Sequence, residues 1–345
     1  MEYSGLLFKY PVNRPVSDEE KGYQLNKKKR LALAPVSQMT TIRMNSTFME
    51  VVDKFYAYKG FMLMIVLPVF IGFLFFDFLM TYEFVAHDLA TISGQKEVEG
   101  ISAFIFMNIL LLSICAWLGY MIKKEMFTYT HWPVRLNRKN RMVYVFRHNG
   151  PGGVLAVKWD DVFCCFAPGK AKYAGNYNWD IRCHVLDAKG LIKDTFTIGK
   201  FDTGLTDTLR AHWEFFRRYM EEGTQHLPAI EEYLPIATHR EGFWFGLRRA
   251  TANTYGNFFI WVITLPLTIP NGLARYLCMI SSRIPRWPAE VEAACVVEPG
   301  SEIPAELENS TSIWKMAISL VLGLGVDAWC IWKISNASSW SGLLG

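Results

Sequence analysis

Two apolar runs of about twenty residues each, 61–80 and 101–122, constrain this chain more than anything else in it. A helix of that length crosses the roughly 30 Å hydrocarbon core of a bilayer. A soluble helix rarely carries so long an apolar stretch without a polar face. The charges around the runs agree with a membrane hairpin. Lys54 and Lys59 precede the first run, and Lys123 and Lys124 follow the second. The link between them holds Glu83, Asp88, Glu97 and Glu99 against Lys96 alone. Positive flanks stay in the cytoplasm, so the link is expected outside and both outer flanks inside.

The rest of the 345 residues suffices for one soluble domain of ordinary size. Twelve tryptophans and 15% aromatic residues suit a protein with rings at the membrane interface. The formal net charge is only +4, but it is unevenly spread. Residues 287–311 hold Glu290, Glu292, Glu298, Glu302, Glu306 and Glu308 and no Lys or Arg. Basic segments beside membrane spans fit an anionic cytoplasmic leaflet, and no nucleic-acid motif is present. The seven cysteines are scattered without a CxxC, which predicts neither a disulfide framework nor a zinc site. That usage suits a reducing, cytoplasmic location for the soluble part. The opening residues lack a charged segment followed by an apolar one, so no cleavable signal is expected.

Residues 1–58 are polar and broken by prolines and read as a cytoplasmic arm, with a basic cluster at 27–30. The hairpin takes 59–123. From 124 to 225 the pattern becomes period-2 alternation with turn residues at 137–140, 148–153, 168–169 and 188–190. Strands are expected near 126–130, 142–147, 154–157, 162–167, 181–187 and 191–198. An amphipathic helix follows near 204–222, with Thr203 as its N-cap and Gly223 as its stop. Short antiparallel strands closed by one helix predict a pleckstrin-homology-like (PH-like) domain. Residues 226–254 read as a linker. A C-terminal membrane region occupies 255–345, with further apolar runs at 255–277 and 312–332. The first contains Pro266 and Pro270, and can either span with a kink or re-enter. An acidic 287–311 loop without a basic residue fits the outer side, so four spans with a cytoplasmic C-terminus are favoured. The fold class is thus an α+β membrane protein: a transmembrane hairpin, a cytoplasmic PH-like β domain with a C-terminal helix, and further membrane helices.

Candidate functional residues are few. Arg135, Arg138, Lys139, Arg141 and Arg147 form the densest basic group, on a predicted hairpin close to the membrane exit, with Trp132 beside them. There they can meet phospholipid headgroups or a partner, each cation contributing on the order of 1 kcal/mol near an anionic surface. Asp77 and Asp327 are the only acids inside the apolar runs, and intramembrane carboxylates are functional-site candidates by default. Asp327 is expected to contact a neighbouring helix through Asn108. His148, His184 and His212 fall into no metal-binding spacing, and no phosphate loop, dinucleotide fingerprint or nucleophile elbow occurs. These observations predict a protein without catalytic residues, metal or cofactor.

The residues 133–139, 143–147, Gly152-Gly153-Val154 and 159–162, followed by 279–288, Glu290, Glu292, Cys295 and 298–300, resemble an uncharacterised family of proteobacterial inner-membrane proteins. The resemblance covers most of 50–300. It implies a helical hairpin before a PH-like domain, in genes often found beside type VI secretion effectors. It therefore implies an immunity or accessory protein whose partner is a secreted toxin or a secretion-system protein, and it supplies no catalytic residues. The competing expectation is a PH-like lipid- or envelope-sensing module. The run 312–332 is an addition to the family pattern.

Overall fold

A computed structural model describes residues 10–88, 95–173, 176–230, 232–252, 258–303 and 311–337. The sequence-based readings at 1–9, in the link 89–94 and at 304–310 lie outside the described residues. The chain divides into two compact units. The first is assembled from three separate stretches, Met1–Lys59, Tyr129–Gly242 and Ser282–Ile318. The second comprises Gly60–Thr128, Phe243–Ser281 and Ser319–Gly345.

The first unit is built on two antiparallel sheets. Strands β1 (Thr41–Met44), β2 (Phe48–Val52), β3 (Pro133–Asn137), β4 (Met142–Phe146) and β5 (Val154–Lys158) lie side by side in that order. Strands β6 (Val162–Tyr173), β7 (Asn176–Leu186) and β8 (Ile192–Thr197) form the second sheet, and the short β9 (Asp202–Thr203) pairs with β7. β2 and β3 pair from Phe48↔Asn137 to Val52↔Pro133, although residues 53–132 separate them in the chain. The first sheet therefore begins in the stretch expected to be a cytoplasmic arm. Two strands there were hidden because the partner that completes them lies beyond the apolar runs.

Period-2 alternation explains the core. Met49, Val51, Val134, Leu136, Val143 and Val145 point to one face and meet Phe166, Ile181 and Phe196 of the second sheet. Helix α4 (Asp207–Glu222) closes this core with Leu209, Trp213, Phe216 and Met220. Its N-cap is Thr206, whose hydroxyl accepts from the Leu209 amide at 3.1 Å, and not Thr203, which lies in β9. Gly223 stops it at φ +89°, as expected.

The described part of the arm is also ordered. It holds the short helix α1 (Asp18–Gly22), whose capping box joins Ser17 and Glu20. Asn13 and Arg14 exchange backbone hydrogen bonds with Ile192 on β8, while Tyr23 and Leu25 bond to Phe166 and Cys164 on β6. One segment thus covers both outer strands of the second sheet, satisfying backbone groups that an open edge would leave unpaired. The supposed linker from 226 onward belongs to this unit up to 242, with Ile230, Leu234 and Ile236 buried.

The second unit is helical. Helix α2 (Phe61–Glu83) and helix α3 (Gln95–Met126) carry two stretches, Phe61–Ala86 and Val98–Met126, long and apolar enough to cross a membrane. Phe75, Phe78 and Phe106 are 60%, 64% and 68% exposed, so these side chains are not a soluble core. The amide of Gly60 donates to Glu125 Oε1 at 2.8 Å and closes the base of the pair. Helix α5 (Phe243–Ala252), helix α6 (Phe258–Ser281) and much of helix α8 (Thr311–Ala337) complete this unit. Helix α6 stays helical through Pro266 and Pro270.

Candidate functional site

The β3–β4 hairpin carries the basic group that the sequence singles out. Its turn is set by Asn137 and Asn140, whose side-chain oxygens accept from the Asn140 and Met142 amides at 3.1 Å each. Arg141 adopts φ +52° there. The turn brings the cations to one end of the sheet, but it does not leave them free for headgroups.

Arg135 is 2% exposed. Its Nε and Nη2 donate to Glu50 Oε2 at 3.0 and 2.7 Å, and Nη2 also reaches Glu292 Oε1 at 3.2 Å. The guanidinium lies between the rings of Phe48 and Trp287, 4.4 and 4.7 Å from their centroids. Burial works against its charge, but the carboxylates of Glu50 and Glu292 outweigh that and raise its pKa. Arg147, also buried, donates to Asp194 at 3.0 Å and to the Thr195 carbonyl at 3.3 Å. Arg141 forms a fork on Asp160 at 2.7 and 2.6 Å and reaches Glu221 at 2.8 Å. Lys139 pairs with Glu298. Arg138 is half-buried beside Gly223 and makes no ion pair among the described residues. Trp132 is buried, edge-to-face with Tyr129 at 6.3 Å. Four of the five cations expected to meet headgroups or a partner are therefore ion-paired within the same unit, Arg135 and Arg147 in the interior and Lys139 and Arg141 nearer the surface, and Trp132 is buried.

The partners come from an unexpected place. After helix α6, the chain lays Trp287, helix α7 (Ala289–Ala294) and Val297 over the outer face of the first sheet. They pack on Phe48, Met142, Tyr144 and Val154, and Asn137 donates to the Ala294 carbonyl at 2.7 Å. Glu292 and Glu298 of this strap are the counterions of Arg135 and Lys139, and Glu302 lies 3.7 Å from Arg43. The acidic stretch 287–303 is thus packed into the β unit. Its lack of basic residues is explained by what it covers.

Sequence reading missed three further charge clusters. Asp180, 2% exposed, pairs with Lys54 and with Arg182 at 3.0 Å, and both cations lie about the Tyr10 ring. Glu20 is forked by Arg14 at 2.8 and 2.6 Å and lies 3.3 Å from His184, and its pKa falls to about 2 despite burial, through the Arg14 and Ser17 hydrogen bonds. Glu214 is bound by Arg217 and Arg218, both at 2.7 Å. In the first cluster Arg182 is two residues from Asp180, but Lys54 and Tyr10 are far away in sequence, so local spacing shows only part of it. Lys28 and Arg30 of the basic cluster pair with Glu221 and Glu222 of helix α4.

The cysteine expectation needs correction. Cys164 and Cys183 are register partners on β6 and β7, with Cα atoms 4.2 Å apart, and form a disulfide. Direct cross-strand pairing brings side chains together that look scattered in sequence. Cys165 is buried and free, and burial pushes its pKa up to about 12.

In the helical unit, Asp77 is half-buried and its Oδ1 has no hydrogen-bond partner among the described residues. The Asn108 amide donates to the Phe104 carbonyl at 3.0 Å on its own helix, and its oxygen faces the Thr81 hydroxyl at 3.4 Å. It makes no hydrogen bond with Asp327, which is half-buried on helix α8. The expected Asn108–Asp327 pair is thus replaced by an α2–α3 contact.

An open cavity of about 720 Å³ is lined by Lys21, Lys27, Lys28, Asp160, Asp161 and Phe163, among others. Lys27 is not available to a ligand: its Nζ donates to the carbonyls of Trp159, Asp160 and Val162, the last at 2.5 Å. Burial lowers its pKa to about 8. Among the described residues no group of three or more His, Cys, Asp or Glu side chains could hold a metal ion.

Residues 109–299 match the model of a family of unknown function, DUF6708, and the chain belongs to that family. The match runs from within helix α3 through the β unit and the α5–α6 pair into the strap. It excludes β1, β2, helix α2 and helix α8. No curated protein and no solved structure matches the chain.

Proposed function

We propose that this member of the DUF6708 family is a membrane-anchored, non-enzymatic binding protein. In this reading its β unit, PH-like in its order of strands and closing helix, holds a protein partner at the cytoplasmic face of a bacterial inner membrane. One observation carries the choice of a protein over lipid. The basic hairpin is neutralised by carboxylates of its own fold, so it lacks the surplus positive charge that attracts anionic headgroups. What remains is a rigid, charge-balanced surface of the kind that complementary protein interfaces use. The exposed apolar faces of α2 and α3 support anchoring, because patches of that extent mark contact with lipid or protein.

Under the family resemblance the partner is a secreted toxin or a secretion-system component, and the protein is its immunity or accessory factor. The test is isolation of the intact protein from detergent-solubilised native membranes, joined to a deletion strain challenged by kin carrying the neighbouring effector. One toxin recovered at near-stoichiometric yield, with sensitivity on deletion, is the expected result. Recovery of lipid alone with full resistance on deletion would overturn it and return the weight to a lipid-sensing module.

A further inference from the structure

We infer that the excursion 243–281 leaves the membrane on the side where it entered. The chain then crosses an odd number of times, with α8 as its last span, and α8 ends on the side opposite the one where the excursion ends. This rests on the membrane reading above but not on the identity of any partner.

The argument starts from where the ends of the excursion are held. Just before it, Tyr56 donates to Glu241, and Arg240 Nε donates to the Ser282 carbonyl at 3.1 Å. Just after it, the Thr130 amide donates to the Arg283 carbonyl at 2.9 Å. All of these residues belong to the first unit. A segment whose two ends are fixed in one folded, water-facing body makes an even number of crossings.

Helix α5 does not cross by itself. Helix α5 has 10 residues, about 15 Å of rise, half of the hydrocarbon thickness. It runs back along the C-terminal half of α6. The Phe243 and Tyr276 rings lie 5.9 Å apart, and Leu247 packs on Gly272, where an added Cβ would meet it at 2.7 Å. A dip and a full return both keep that number even. Helix α6 contains Pro266 and Pro270, whose freed backbone groups need protein cover at membrane depth. Helix α8 supplies such cover: its Gly323 lies against the Leu265 carbonyl, which an added Cβ would approach to 2.7 Å.

The strap is then on the side of the β unit, as its pairing with Arg135 and Lys139 requires. Helix α8 starts from that side. Its 27 residues rise about 40 Å, enough to span. At the far end Lys333 lies over the rings of Trp329 and Trp332, an arrangement suited to an interface.

Single cysteines report the sides in the full chain. Cys115, Cys165, Cys278 and Cys295 are buried, so a Cys330→Ser background gives low labelling by a membrane-impermeant maleimide. The probes are Lys189→Cys in the β unit, Ala293→Cys and Val296→Cys in the strap, Glu99→Cys at the hairpin tip and Ser341→Cys in the tail. In intact spheroplasts, Glu99→Cys and Ser341→Cys should label. The other three should label only after the membrane is opened. Strap labelling on the side opposite Lys189→Cys would overturn the even-crossing argument. Tail labelling on the side of Lys189→Cys would overturn the span through α8. Glu99→Cys on the side of Lys189→Cys, or a chain that washes off the membrane at high pH, would remove the premise and the inference with it.

Discussion

Replacing Arg135 by methionine should uncouple the strap from the sheet. Glu50 is 4% exposed, and Arg135 is its cationic partner. Without it, the remaining hydrogen bond to Glu50 is the Trp287 indole at 3.2 Å. Breaking a buried pair by removing one partner costs about 3–5 kcal/mol, because an uncompensated charge stays in the interior. Loss of the two ring contacts adds about 0.5–2 kcal/mol each, which the burial of the methionine largely offsets. The expected total is about 3–5 kcal/mol, or a fall in Tm of roughly 6–20 °C at about 2–4 °C per kcal/mol for a domain of 150–250 residues. The control is Glu292→Gln. That carboxylate is 53% exposed, so its loss should cost at most about 1 kcal/mol. The double variant Glu50→Gln/Arg135→Met should regain much of the loss, since removing both charges of a buried pair is often close to neutral. Thermal unfolding of the full chain in detergent, read by tryptophan fluorescence, gives the ranking. Limited proteolysis within 282–303 reports release of the strap. The reasoning fails if Arg135→Met stays within about 1 kcal/mol of the parent, or if the double variant is worse than either single one.

Three further outcomes follow from buried groups and one strained turn. Both carboxylate oxygens of Asp53 are buried, and burial, opposed by Lys54, the Tyr56 backbone amide and Arg147, raises its pKa to about 7. A raised folded pKa stabilises at low pH and is lost as pH rises through about 7, so Asp53→Asn should stabilise the chain at pH 8 by on the order of 1–3 kcal/mol. No gain at pH 8 would refute this. His212 has the opposite sign. It is neutral, with Nδ1 on the Val36 carbonyl at 2.9 Å and Nε2 accepting from the Lys200 amide at 3.2 Å, and burial lowers its pKa to about 4. Stability from this group is complete above the unfolded value of about 6.5 and falls towards pH 4 by roughly 1.4 kcal/mol per pH unit. His212→Gln should flatten that slope in denaturant titrations at pH 7, 6 and 5, and an unchanged slope would count against it. Gly60→Ala should prevent correct membrane insertion or strongly lower the yield. Gly60 sits at φ +93°, and a Cβ there would lie 2.4 Å from the Arg275 backbone. Normal yield and Tm would show that this close approach is not needed.

Much of the fold could be read from sequence where the signal is local. The apolar runs are contiguous, β4, β5 and β8 are short runs rich in β-formers that lie near turn residues, and helix α4 has both its period and its stop at Gly223. β1 and β2 could not be read that way. They are short, every residue of β2 is buried, and the strand that completes them follows the hairpin, so alternation towards one face was masked by a strap on the other. The cross-strand disulfide was hidden for the same reason, since register and not spacing brings Cys164 to Cys183.

The charge readings failed in a linked way, and the link is physical. The sequence offers a basic hairpin at 135–147 and an acidic stretch at 287–303, and each was assigned to a membrane-facing role of its own. Those assignments treat charge as a property of a segment facing solvent or lipid. Arg135 with Glu292 and Lys139 with Glu298 make the two segments halves of one interface, in which these opposite charges meet. A charge-based topology rule holds for cations that remain solvated near a span, such as Lys123 and Lys124 at the end of helix α3. It carries no information for charges that fold against each other. Once the paired residues are set aside, the acidic stretch no longer argues for an outer position. The pairing instead binds the strap to the outer face of the first sheet, so its charge reports a contact within the first unit.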